Sequence, residues 1–513
     1  MISLDKNTIA LVAVCLAALM FGLEISSVPV ILPILEREMG AGFSELQWIM
    51  NAYTIACTTV LMATGTLADR YGRKRIFVFS LALFGVTSLL CGLAENAAVL
   101  IVARFLQGMG GGAMLICSIA ILSHQFREGG ERARGFAIWG VISGIGLGFG
   151  PIVGGVIVAA SGWPWVFLVH VPLTVLTLLL VAAGVGESSD PEAERLDVAG
   201  IVTLSVAVFG LVYFITQGPE LGFSSAAAIG ILAVSVLAFI LFVCAEKLNS
   251  RPMFDFSVFR IRNFSGAIVG CVGMNFSFWP FMIYLPIYFQ VGLGYDAVAT
   301  GMSLLAYTLP TLILPPLAER LALRYQPRIV IPAGLATIGL GFMLMRYGSS
   351  VEQASWLTML PGCLMAGIGL GITHTPVTNT TTGSVPGSRS GMASGIDMSA
   401  RLITLAINIA AMGFVLREGI LAHLRGALAA SVEPARLQSA AEKIAAGDVA
   451  SLAQNLPELS LLDAPGTVVH AALVNGFGWV MLYGGVGVWV LAALSFAIFG
   501  RSANVAPQEC RAG

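Results

Sequence analysis

Fourteen apolar stretches follow one another along the chain, each close to the roughly 20 residues a helix needs to cross a bilayer. They run from Ile9–Leu32 through, among others, Leu46–Leu67, Ala98–Leu122, Ala137–Ala160, Val166–Val185, Thr300–Ala318 and Ala393–Val415 to Val474–Phe499. Backbone in hydrocarbon must satisfy its own polar groups, so each stretch is expected to be α-helical and the whole an all-α integral membrane protein with 14 transmembrane helices. Composition agrees. Of 513 residues, 57% are apolar and only 11% charged, about half the charged share of a soluble chain. A net charge of −1 argues against a nucleic-acid partner, which needs clustered positive charge. The eight cysteines are scattered, mostly inside the stretches and without CxxC spacing; they are read as small core residues, not as a disulfide or metal framework. The first stretch lacks a basic leader and a small-residue cleavage site, so it is expected to remain in the mature protein.

Lys and Arg sort by side. Loops on one side hold nineteen of the 27 basic residues and loops on the other hold six, with Arg104 and Arg401 inside stretches. The positive-inside rule then places both termini in the cytoplasm and the chain in the cytoplasmic (inner) membrane. A weak repeat supports two halves: Leu67-Ala68-Asp69-Arg70 closes the second stretch and Leu317-Ala318-Glu319-Arg320 the tenth. The expected organisation is a six-helix bundle over residues 1–190, two inserted helices over 191–258, and a second six-helix bundle over 259–513. Residues 417–470, rich in Ala and mixed charge, form a long extracytoplasmic loop expected to be a partly helical cap. Duplicated halves with a site between them are the usual plan of secondary transporters.

Absences narrow the chemistry. No GxxxxGK[ST] phosphate loop and no HExxH motif occur, and the four lysines (Lys6, Lys74, Lys247, Lys443) lie outside the stretches. An enzyme is not expected, nor a cofactor or metal, and any energy must come from an ion gradient. Ionisable residues inside the stretches are functional candidates by default. Glu24 is foremost: a carboxylate there costs several kcal/mol when ionised, so a proton and a lipophilic cation can compete for it. The alternative is a structural carboxyl bonded to a neighbouring helix. Arg104 is permanently charged and cannot carry the proton, but it can set a partner's charge state. Asp397 and Arg401, four residues apart, share a helix face as a self-neutralising pair, structural or transporting. His170 and His374 either titrate near neutrality or serve as neutral hydrogen-bonding groups. The ninth stretch carries Met274, Phe276, Phe278, Trp279, Phe281, Met282, Tyr284, Tyr288 and Phe289, suited to line a pocket for flat cations or to pack against lipid. In the fifth stretch Gly140, Gly144 and Gly148 share one helical face and Gly146, Gly150 and Gly154 another, so neighbours can approach on both; Pro151 predicts a kink.

The run from Gly65 to Arg75, of the form G-x-L-A-D-R-x-G-R-K-R, resembles the signature loop between the second and third helices of the major facilitator superfamily. Arg104–Gly112 (RFLQGMGGG) and Gly146–Gly155 (GLGFGPIVGG) resemble its fourth-helix and antiporter motifs. Phe21–Pro33 and the W-x-x-x-A-Y pattern at Trp48–Tyr53 resemble its fourteen-helix drug:proton antiporter branch, with Glu24 where Asp is usual and His170 where Asn is common. The resemblance implies a major facilitator fold of two six-helix bundles plus two inserted helices, working as a functional monomer. It implies proton-coupled efflux of hydrophobic, cationic drugs or antiseptics, with the substrate, protons and lipid bilayer as partners. Glu24 and Arg104 would form the proton-coupling and substrate site, with Asp397, Arg401, His170 and His374 secondary. Gly65, Asp69, Arg70, Gly72 and Arg73 would form a gating loop in which Asp69 latches the other half. Gly146, Gly150, Pro151, Gly154 and Gly155 would form the antiporter motif. Two rival readings are a dedicated exporter of an endogenous metabolite (an antibiotic, amino acid or lipid) and a non-transporting membrane scaffold or sensor.

Overall fold

The structure, a computed structural model, describes residues 5–126, 129–189, 197–248, 255–385, 390–428, 432–447 and 465–499, and every regular element among them is helical. The long helices are α1 (Lys6–Met39), α2 (Phe43–Tyr71), α3 (Arg73–Gly92), α4 (Ala97–Gln125) and α5 (Gly129–Ser161). The short α6 (Pro164–Leu168) and α7 (His170–Gly184) follow, then α8 (Val198–Leu221), α9 (Ala226–Leu248) and α10 (Arg262–Ile287), which a single π turn extends through Tyr288–Gly292. The remainder are α11 (Ala297–Ile313), α12 (Pro315–Tyr325), α13 (Pro327–Ser349), α14 (Trp356–Gly383), α15 (Ser390–Leu428), α16 (Pro434–Ala446) and α17 (Pro465–Phe499).

Local chemistry sets several of the ends. Gly40 stops α1 in the left-handed region at φ 66°, where glycine has no Cβ to clash. The side chains of Asn96, Asp197 and Asp296 accept from the backbone N–H of Val99, Gly200 and Ala299 at the starts of α4, α8 and α11, filling donors that a helix leaves open. Twelve spans, counting α6 and α7 as one, are long and apolar enough to cross a membrane, and the α11–α12 pair makes a thirteenth. With α2, as long as its neighbours, the count is compatible with the fourteen stretches.

The structure departs from the sequence reading in four places, two of them with proline as the local cause. The stretch Val166–Val185 breaks at Val169, because Pro172 has no N–H to donate and its ring collides with the carbonyl four residues back. Thr300–Ala318 is likewise not one rod: α11 and α12 meet at a 49° bend, where the Pro315–Pro316 pair removes two donors. The helix begun near Ala393 runs on to Leu428, and α17 starts at Pro465. Arg417 and Arg425 therefore sit on a helix rather than in the long loop, which is narrowed to α16 and its flanks. The expected boundary at residue 190 and residues 448–464 of that loop lie outside the described residues.

Helices α1 to α7 pack on one another, as do α10 to α15 with α17, while the α8–α9 pair lies against α2 and α15. The groups meet along α5–α11, α2–α15 and α1–α10. Helix α5 is the shared wall, and its glycines explain how. A Cβ on Gly146 would sit 2.7 Å from the Leu19 carbonyl oxygen, one on Gly154 2.8 Å from Ser27 Cβ, and one on Gly150 would collide with Ser26 Oγ. That face is laid directly on α1. On another face, Gly155 abuts Ala297, the Pro151 carbonyl lies against Gly301, and the Gly148 carbonyl accepts from Thr308 Oγ1 at 2.7 Å. Gly144 meets Leu312, whereas Gly140 and Gly148 have open space where a Cβ would go. The glycine pattern thus places α5 against both groups at backbone distance.

Candidate functional site

Glu24 lies halfway along α1 and is completely buried, as is Arg104 of α4. Arg104 Nη1 donates both to Glu24 Oε1 and, at 2.8 Å, to Gln107 Oε1; its Nε donates to the Ile49 carbonyl of α2 at 3.1 Å. The guanidinium carbon stands 4.4 Å from the Tyr53 ring centroid and 5.7 Å from that of Phe167. Gln107 passes the network to α3 by donating to Ser88 Oγ at 2.9 Å. The first residue of α7, His170, brings Nε2 to 3.1 Å from Glu24 Oε2, with its ring 5.5 Å from that of Phe84. Five segments thus converge on one carboxylate. Two opposite charges removed from water are tolerable only when paired, as these are through Nη1 and Oε1, and removing one partner leaves the other stranded.

Beside this cluster lies a small cavity of about 20 Å³, lined by Ile25, Pro29, Met50, Tyr53, Thr54 and Arg104 on one side and by Trp279, Met282, Ile283 and Leu405 on the other. It straddles the seam between the two helix groups. Glu24 does not line it; Arg104 and Tyr53 stand between them. Direct competition of cargo and proton for the carboxyl, as the sequence suggested, is therefore not the arrangement in this state. The aromatic wealth of α10 is also mostly structural. Phe278 stacks on Tyr307 at 4.0 Å, Phe281 packs on Phe342 and Tyr288 on Phe477, while Trp279 and Met282 reach the cavity because only one stripe of a helix faces a given neighbour.

The seam is sealed toward the end of the bundle where α1 stops. Gln47 Nε2 donates to Tyr284 Oη at 2.9 Å, Tyr284 donates to the Ile409 carbonyl, and Gln290 Nε2 donates to the Val30 carbonyl at 2.9 Å. Helix α16 lies over this end against α1, α2, α15 and α17, held by Glu442, which pairs with the buried Arg417 at 2.8 Å.

Other sequence candidates fall elsewhere. Asp397 and Arg401 do form a buried pair, 3.1 Å apart, and Arg401 also donates to Thr378 Oγ1 of α14 at 2.9 Å. The Cys271 thiol of α10 lies 3.5 Å from the Asp397 carbonyl. This second cluster does not join the first. His374 is half-buried on α14, one turn before Thr378. In the loop after α2, Gly72 takes φ 111°, and a Cβ there would meet the Glu187 carboxylate at 2.6 Å. Glu187 accepts from the Lys74 backbone N–H at 3.0 Å, and the Arg73 N–H donates to the Ser188 carbonyl at 2.9 Å. Arg70 is exposed and Gly65 half-buried; the side chain of Asp69 lies outside the described residues. Sequence reading gave Gln107 and Tyr53 only as members of their motifs, without a role, and passed over Ser88, which lies on α3 and carries no signal in spacing. The spacing of Gln107, three residues after Arg104, was the one signal available.

Comparison with known proteins adds four findings. A family model described as Major Facilitator Superfamily matches residues 14–408. Multidrug resistance protein Stp of Mycobacterium tuberculosis is 34% identical over 416 residues, covering 81% of this chain and 77% of that protein. The Tetracenomycin C resistance and export protein of Streptomyces glaucescens is 29% identical and covers 97% of this chain and 93% of its own. Among solved structures, a crystal structure of the peptide transporter POT superposes with a TM-score of 0.59 at 16% identity, covering 97% of this chain and 99% of that one. That likeness concerns the fold alone.

Proposed function

This chain belongs to the major facilitator superfamily, and we propose that it exports hydrophobic, cationic drugs or antiseptics across the cytoplasmic membrane in exchange for protons, by alternating access. It is a multi-pass membrane transporter of the efflux kind; proton coupling and cargo class are the proposal. The observation that carries it is the buried Glu24–Arg104 pair beside a seam cavity walled by Tyr53, Trp279 and two methionines. In the proposed cycle residues 1–190 and 259–513 rock about that seam, residues 191–258 ride outside, and both termini stay cytoplasmic.

Arg104 is the intermediary between proton and cargo. With Glu24 ionised, the pair is neutral and a cation can settle against the aromatic wall. With Glu24 protonated, Arg104 is an uncompensated positive charge and repels it. For a separation of about 8 Å and an effective dielectric constant of about 20, one unit charge is worth about 2 kcal/mol, roughly 30-fold in affinity. Drug-sized ligands need roughly 300–1,000 Å³, far more than the cavity offers, so the halves must part for cargo to enter. Charge movement is worth about 2.3 kcal/mol per 100 mV. A proton-motive force of roughly 150 mV then supplies about 3.5 kcal/mol per proton, a gradient of roughly 300-fold for a cargo without net charge; a monovalent cation exchanged one for one is driven by the pH difference alone, about tenfold per pH unit.

The test is export of ethidium from vesicles of reconstituted protein under an imposed pH gradient. Glu24→Gln is expected to lose proton-driven export by about tenfold or more while still folding, with a lowered unfolding temperature because Arg104 loses its counter-charge; undiminished export by that variant overturns the scheme. The second reading, a dedicated exporter of a metabolite made by the same cell, is favoured by the relative whose name is that of an antibiotic export protein. Selective thermal stabilisation by one natural product, with no response to a panel of unrelated cations, decides for it.

A further inference from the structure

We propose that His170 is a positioning residue for the proton on Glu24, accepting the carboxyl proton in a hydrogen bond when Glu24 is neutral and donating to the carboxylate when Glu24 is ionised. This rests on the reading that Glu24 exchanges a proton. The two carboxyl oxygens are served differently. Oε1 faces Arg104, and Oε2 lies 3.1 Å from His170 Nε2. A guanidinium can only donate, so it suits the ionised carboxylate alone. A protonated carboxyl needs an acceptor, and the structure sets His170 Nε2 3.1 Å from Oε2.

A neutral imidazole carries one N–H and one lone pair, and the two can exchange places. When the halves part and water reaches the pocket, a hydronium ion gives a proton to Nδ1 and leaves as water, the Nε2–H bond breaks, and its proton forms an O–H bond on Oε2. Glu24 ends neutral, and His170 ends neutral with its tautomer exchanged. The reverse passage ionises Glu24 again. The imidazole is placed for this: it is 99% buried (relative exposure 1%), and neither ring nitrogen nor Glu24 Oε2 has a formed hydrogen bond among the described residues, so the 3.1 Å approach of Nε2 to Oε2 leaves both atoms free to bond to each other. Its ring is steadied by Phe84 at 5.5 Å, and the helix break at Val169 puts it at the first position of α7. The other titratable or charged side chains facing this pocket are Arg104 of α4, Tyr53 and Cys57 of α2 and Cys91 of α3. Among the described contacts of Glu24, none of them lies against Oε2.

The experiment compares wild-type protein with His170→Gln in reconstituted vesicles exporting ethidium across a range of pH. Glutamine can bond to Oε2 but cannot pass a proton through its ring. The pH of half-maximal export is expected to move by about one unit or more, with ethidium binding retained. In infrared difference spectra the protonated-carboxyl band that disappears in Glu24→Gln is expected to shift in His170→Gln. An unchanged pH profile and an unchanged band overturn the proposal. Should His170→Gln not fold, nitrogen-15 NMR of histidine-labelled wild-type protein decides: a tautomer that exchanges with Glu24 protonation supports the relay, and a fixed tautomer refutes it. Absence of proton-driven export in wild-type protein would defeat the functional reading instead, and the spectra would still judge His170.

Discussion

Arg104 makes three directional bonds at once, to Glu24, Gln107 and the Ile49 carbonyl. A lysine ammonium, a single nitrogen on a flexible stem, cannot reproduce that fork. Arg104→Lys is therefore expected to cut export by about tenfold or more, while raising rather than abolishing the ethidium concentration needed for half-saturation. Arg104→Ala strands a buried carboxylate and is expected to destabilise the protein by about 3–5 kcal/mol, read from unfolding in detergent. Adding Glu24→Gln to Arg104→Ala should restore part of that loss, and a strictly additive double variant would mean that the two side chains do not act as a pair. At this scale the sequence was informative about identities. Glu24 and Arg104 stand out as charges in apolar stretches, but they are 80 residues apart, and nothing in one-dimensional spacing says that Ser88 completes their network.

Among the elements, α5 is where spacing translated most directly into packing. A four-residue glycine repeat lies along one helix face, and Gly146, Gly150 and Gly154 do lie along α1. Gly150→Ala should push α5 off α1 through Ser26 and lower both stability and export, whereas Gly148→Ala, facing open space, should stay within about 0.5 kcal/mol of wild type. Thermal unfolding of the two variants side by side checks this, and equal losses would remove the close-approach argument. Hydropathy alone could not see the breaks at Val169 and between α11 and α12, because apolar character continues across them. The prolines mark them, through a missing donor and a ring collision rather than through polarity.

For the whole molecule, alternating access requires that contacts now sealing one end of the seam come apart. Gln47 of α2 and Tyr284 of α10 meet tip to tip at 2.9 Å across that seam. The pair of substitutions Gln47→Cys and Tyr284→Cys, in a background lacking the exposed Cys244, should be bridged by a short reducible thiol-reactive cross-linker. Ethidium export is then expected to stop and to return on reduction. Continued export by fully cross-linked protein would show that this edge does not open during transport.

Composition and apolar periodicity were sufficient for helices and their membrane setting, because a chain in hydrocarbon has few ways to satisfy its backbone and each helix answers that demand locally. Motif spacing likewise pointed to the charged residues and to α5. The pairing of Arg104 with Glu24, the imidazole set against the second carboxyl oxygen, the partition of Glu24 from the cavity by Arg104 and Tyr53, and the use of Glu187 to hold the loop after α2 came only with packing. Those relations depend on the rotation and crossing of helices distant in the chain, which the fit of their surfaces determines jointly.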